Sequence, residues 1–134
     1  MTATEQTHRE KLEFTCGITS YDFHTYIPLD EPTGALAFRD GLLEKFSKEI
    51  SEGSIGAYKP HMGKIGPHRE EGYGMFELDV RDPVNFLRLL NYYQTHHEGL
   101  SVLIHPRSDR GDLWDHTEGA LWLGKIIKLD TSML

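Results

Sequence analysis

Histidine is the residue type whose abundance first suggests chemistry: this 134-residue chain carries eight. An imidazole titrates near neutral pH and ligates metals through a nitrogen lone pair, so several gathered in one place can hold a metal or move protons. Spacing decides which are gathered. His24 lies in the alternating run Tyr21-Asp22-Phe23-His24-Thr25-Tyr26-Ile27, Glu77 lies in a second alternation from Tyr73 to Val80, and His105 ends a short apolar run begun by Leu100. A period of two sends Phe23, Thr25, Phe76, Leu78, Val102 and Ile104 to one side; His24, Tyr26, Met75, Glu77, Leu103 and His105 go to the other. Two imidazoles and a carboxylate form a donor set that holds non-haem ferrous iron while leaving positions open, and the same groups bind zinc. His68 follows Gly66 and a stiffening Pro67 where the chain re-enters the sheet. His116 follows Asp115, a carboxylate placed to orient it, in the loop beyond the third run. Which three donors touch a metal, and which group acts as acid or base, stays open at this level.

Plainer readings stand beside these. A single strand histidine on an uncovered face is by default a solvated side chain. The pairing of His24 and His105 on neighbouring strands, with Glu77 beside them, argues for ligation because buried polar groups need partners. His96 and His97 fall at the end of a helix, where they suit its dipole; His8 sits in a charged leader and His61 in a surface loop. Arg69, Arg107 and Arg110 flank the histidine-bearing loops of an acidic chain, and an arginine beside a metal cavity can clamp a substrate carboxylate. Trp114 and Trp122 read as core or interface pieces. Cys16, the single cysteine, has no partner for a disulfide and no motif around it.

The elements that must position these groups follow from the same patterns. Residues 1–17 are expected as a mobile N-terminal arm and 18–134 as a single domain. Strands are expected over 18–29, 54–58, 73–80 and 100–105. Leu36, Leu43, Phe46 and Ile50 predict an amphipathic helix ending before Gly53. Asp82 as cap and Pro83 as first residue open a second helix, striped by Phe86, Leu89, Leu90 and Tyr93. A polar loop to Thr117 and a short apolar tail follow. This order is α+β, the ferredoxin-like βαββαβ plan: a four-stranded antiparallel sheet with two helices on one face and the first strand between the third and fourth. The other face is left for a partner subunit, the tail or a ligand.

Size and charge narrow the field. At 134 residues there is room for one core, and a net charge of −7 disfavours phosphate backbones and anionic membranes. Neither nucleic acid nor a membrane is expected as partner. The lone cysteine, and an N-terminus without an apolar signal core, lead to a cytoplasmic expectation. No phosphate-cradling glycine loop and no nucleophile elbow occur.

The ordered segments Tyr21-Asp22-Phe23-His24-Thr25-Tyr26, Ile65-Gly66-Pro67-His68, Gly74-Met75-Phe76-Glu77, Leu100 to Pro106, Asp115-His116-Thr117 and Ala120-Leu121-Trp122-Leu123-Gly124 together resemble the DOPA 4,5-dioxygenase family. The resemblance spans about residues 20–125. It implies an extradiol-type dioxygenase that cleaves a catechol such as DOPA with dioxygen, uses Fe(II) or, in purified protein, Zn(II), and forms a homodimer. It further implies His24, His68 and His105 as ligands with Glu77 as a substitute, and His116, supported by Asp115, as acid/base. Tyr26 would hydrogen-bond to bound oxygen or substrate, and Arg107 and Arg69 would contact substrate. Members often carry His-x-His in the first strand, where this chain has Tyr26. Their loop after His-Pro also differs from Arg107-Ser108-Asp109-Arg110-Gly111 here. The rivals are a non-catalytic module binding a metal or small aromatic acid, and a zinc hydrolase.

Overall fold

The computed structural model describes residues 12–134. The first alternating run forms β1 (Ile18–Pro28), and after the break at Asp30 and Glu31 the chain enters α1 (Thr33–Lys45). Phe46 leaves helical backbone values (φ −108°, ψ 22°) and separates α1 from the single turn α2 (Ser47–Ser51). There follow β2 (Ile55–Ala57), β3 (Tyr73–Val80), α3 (Pro83–His96), β4 (Val102–Ser108), α4 (Asp112–His116), β5 (Leu121–Leu123) and a 3-10 turn over Thr131–Met133. The expected start of α3 is observed: the Asp82 side chain accepts a hydrogen bond from the Asn85 amide at 2.9 Å, with Pro83 as the first helical residue.

The strands pair antiparallel in the order β2-β3-β1-β4-β5, so β1 lies between β3 and β4 as the βαββαβ plan expects. The four-stranded, two-helix expectation is corrected in two respects. A fifth strand, Leu121–Leu123, pairs with Val102–Ile104 and covers the backbone groups of the β4 edge. Among the described residues there are four helices rather than two, because Phe46 splits the first and α4 forms inside the expected polar loop. Elements of three to five residues carry too little periodicity to be read from sequence. The stripe of the first helix is corrected as well: Ala35, Phe38, Leu42 and Phe46 are buried, while Leu36, Leu43 and Ile50 lie at the margin.

Parity sorts the two faces of the sheet. Phe23, Ile27, Phe76, Leu78, Val102 and Ile104 join the core beneath α1 and α3, where Phe23 packs 4.8 Å from Tyr93, centroid to centroid. On the opposite face Tyr26 and Leu103 meet Ile127 of the tail, flanked by Trp122 and Leu129. Gly124 starts the tail's crossing: its φ is +68°, and a Cβ there would meet the Leu100 carbonyl oxygen at 2.5 Å, so only glycine fits. The tail is tied down where the Asp130 amide donates to the Pro67 carbonyl at 2.9 Å.

Of the expected mobile arm, residues 1–11, with His8, lie outside the described residues. Phe14 packs edge-on against Tyr21 and Phe86, at 5.3 and 5.9 Å. Among the described residues no helix is long and apolar enough to cross a membrane.

Candidate functional site

His24 stands at the centre of β1, directly opposite Glu77 of β3 and diagonal to His105 of β4, which faces Asp22. Its Nε2 lies 3.0 Å from His105 Nε2 and 3.5 Å from Glu77 Oε1. The remaining two imidazoles come from outside the sheet. α4 presents His116 with its ring 3.8 Å from that of His105, centroid to centroid. The irregular segment before β3 is laid against that strand by the His61–Met75 backbone pair, close enough that a Cβ on Gly74 would meet the His61 carbonyl oxygen at 2.4 Å. It delivers His68 with its ring 4.5 Å from that of His24. Together these groups line a cavity of about 290 Å³ whose rim includes Met133 and Leu134 of the tail.

Hydrogen bonding fixes how the rings present their nitrogens. His105 Nδ1 donates to the Pro106 carbonyl at 2.9 Å and His116 Nδ1 donates to the Asp112 carbonyl at 2.7 Å; a carbonyl can only accept, so in the neutral ring the Nε2 of each carries the lone pair. His24 Nδ1 lies 3.3 Å from the thioether sulfur of Met75, an acceptor that leaves His24 Nε2 for the cavity when Nδ1 is protonated. Candidate donor atoms of His24, His105 and His116 all lie within 4.8 Å of one another, and so do those of Asp22, His24 and Glu77. His68 belongs to neither group. Its Nδ1 is 2.6 Å from the Tyr26 hydroxyl.

Electrostatics favour neutral rings. Burial, followed by the neighbouring imidazoles, pushes His24 well below its ordinary value and His68 down to about 4. His105 is also lowered, chiefly by burial and against the pull of its bond to Pro106. Burial, then the like charges of Asp22 and Asp79, raises Glu77 to about 7. Neutral imidazole is the form that ligates metal.

The structure gathers His24, His68, Glu77, His105, Arg107 and His116 around one cavity. Three other site expectations are placed differently. The Asp115 carboxylate accepts from the Ser108 amide at 3.0 Å and from the Ser108 hydroxyl, holding α4 on β4 rather than orienting His116. Tyr26 is occupied by His68. Arg69 lines a separate surface pocket with Lys128 and Asp130. Asp22 was missed by sequence reasoning, although it shares the parity of His24. It is 1% exposed, and Arg107 grips it through Nε at 3.0 and 3.2 Å and Nη2 at 2.7 Å. His96 and His97 donate to the Tyr92 and Tyr93 carbonyls at the end of α3, as a capping role requires.

Comparison with known proteins bears on what this cavity does. A structure from Nostoc punctiforme, described as that of a candidate dioxygenase, superposes with a TM-score of 0.72 at 25% identity, covering 87% of this chain and 90% of its own. A 21.2 kDa protein of Botryotinia fuckeliana, itself uncharacterised, is 29% identical over 121 residues, and the chain spans 63% of that relative's length. The model of the Dopa 4,5-dioxygenase family matches residues 21–133, which include every histidine of the cavity. The chain belongs to the Dopa 4,5-dioxygenase family.

Proposed function

We propose that the chain is a metal-dependent extradiol-type dioxygenase that opens the ring of a catechol such as DOPA, with Fe(II) held in the histidine cavity and Zn(II) able to occupy the same donors. One observation carries this reading: the Nδ1 atoms of His24, His105 and His116 each have an acceptor of their own, the Met75 sulfur and the Pro106 and Asp112 carbonyls, while candidate donor atoms of the three rings converge within 4.8 Å. Ligating histidines are oriented in this way by outer partners in metal sites generally. Glu77, beside His24, is the carboxylate available to complete or replace part of that set. The resemblance implied His68 as a ligand and His116 as acid/base; the spacing of donor atoms favours His116 over His68 as the third nitrogen.

Ferrous iron, when bound, supplies adjacent positions for a catechol and dioxygen and a route for electrons between them. The protein's own groups do the rest. Asp22 fixes the Arg107 guanidinium through Nε and Nη2, and Nη1, which makes no hydrogen bond among the described residues, is the group of this cavity-lining arginine left to meet an anionic substituent of the substrate. Ile65, Pro67, Met133 and Leu134 give that wall apolar stretches against which a ring can pack.

The test is anaerobic loading with Fe(II), removal of excess metal, and exposure to a panel of catechols under oxygen. A visible absorbance from a ring-opened semialdehyde, with one dioxygen taken up per ring, supports the reading. Tight metal uptake without oxygen consumption favours a binding module instead.

A further inference from the structure

We infer that His68 is not a metal ligand but a neutral hydrogen-bond donor to an oxygen atom of the bound substrate or dioxygen, locked in the required tautomer by Tyr26. This rests on the metal reading above, since it concerns which of four imidazoles stands apart from the ligands. Tyr26 is 1% exposed, and its hydroxyl lies 2.6 Å from His68 Nδ1. A phenol O–H needs an acceptor when buried, and among the described residues His68 Nδ1 is its single partner. Were the hydroxyl to accept from Nδ1–H instead, its own proton would be left without an acceptor among the described residues. Tyr26 therefore donates, Nδ1 accepts, and the ring's one proton sits on Nε2.

That proton sets His68 apart from His105 and His116, whose bonds to backbone carbonyls place the proton on Nδ1. His68 Nε2 makes no hydrogen bond within the protein and is not among the fully buried unpartnered atoms, so it opens to the cavity that the ring lines. A lone pair is what a metal needs, and an N–H is what a developing oxyanion needs. The site thus divides its four rings into donors of lone pairs and one donor of a hydrogen bond. Tyr26 is a positioning residue: it acts on the substrate through His68. The phenol stays protonated in this role, because burial and then Glu70 raise it above its ordinary range.

The decisive measurement reads ring protons directly. Long-range proton–nitrogen NMR correlations on the metal-free protein at about pH 8, above the ordinary histidine range, are expected to show His68 as the Nε2–H tautomer, and Tyr26→Phe is expected to release that preference. Zinc titration then separates the roles. His68→Ala is expected to keep zinc affinity within about threefold, whereas His116→Ala loses more than the roughly 10–100-fold that an outer partner is worth. Nitrocatechol binding to the zinc-loaded protein should weaken about tenfold or more in His68→Ala, as expected for a bond to a charged oxygen, and recover in His68→Gln, which restores an N–H. An Nδ1–H ring at His68, or zinc affinity lost as deeply in His68→Ala as in His116→Ala, overturns the assignment. Failure of the unchanged protein to take up zinc would instead count against the metal reading, while the metal-free spectrum still decides where the His68 proton lies.

Discussion

The two faces of the central strands are almost equally buried and act on stability in opposite directions. On β1, Phe23 and Ile27 are 0% exposed toward the helices, while Asp22, His24 and Tyr26 are 1%, 5% and 1% exposed on the other side. Apolar burial on the first face stabilises the fold at roughly 25 cal/mol per Å². The second face takes imidazoles and carboxylates out of water and depresses or raises their pKa values, which costs stability until a partner arrives. One strand therefore carries both a scaffold and a strained polar cluster, and the difference indicates that the second face is kept for function.

The largest expected effect breaks the first face. Phe23→Ala, which removes a ring packed between Phe86 and Tyr93, is expected to cost about 3–5 kcal/mol in urea unfolding. His105→Ala, on the same sheet, is expected to change metal-free stability by no more than about 1 kcal/mol while abolishing metal binding. Equal destabilisation by the two would erase the contrast.

Acid comes next. His68 falls from its ordinary 6.5 to about 4 in the fold, so between these values the unfolded chain binds a proton that the native chain excludes. The stability this group contributes is present above pH 6.5 and is lost as pH falls toward 4, by about 3 kcal/mol for the metal-free protein. Thermal unfolding followed across that window should show the slope, and His68→Gln should reduce it by this share, with His24 and His105, lowered in the same direction, supplying the rest. Metal removal should come close behind. With free metal at about a hundredfold its Kd, a chelator is expected to lower the stability of the native protein by about 2.7 kcal/mol and to leave His24→Ala unchanged, as calorimetry with and without chelator would show.

The smallest effect runs the other way. Glu77 rises from 4.5 to about 7 in the fold, so the native state holds its proton more tightly and stability is lost as pH climbs through that range. Glu77→Gln is then expected to stabilise the metal-free protein by about 1–2 kcal/mol at pH near 8, a gain discounted for partial exposure, and to make no difference near pH 4. The same variant should weaken metal binding. A carboxylate whose removal stabilises the empty protein and weakens the loaded one is there for the metal.

Strand parity made much of this site legible before any coordinates. A period of two is geometric, so grouping His24 with Glu77 and His105 required only that the runs be strands, and the cross-strand pair His24–Glu77 is observed. Asp22 was equally legible by parity, but an acidic side chain on a strand reads as surface, and only the grip of Arg107 shows why it is buried. The Tyr26–His68 bond joins residues 42 apart through an irregular Gly- and Pro-rich segment, where no periodicity applies. β5, α4 and the break at Phe46 were hidden for the same reason: tertiary packing, not local pattern, sets elements of a few residues.

Anaerobic titration of the metal-free protein with Fe(II), beside His24→Ala, tests whether the histidine face holds a functional metal. The account predicts one ferrous ion per chain with a dissociation constant at or below the micromolar range, and none in the variant. Absence of binding by the unchanged protein, or equal binding by both, would contradict it.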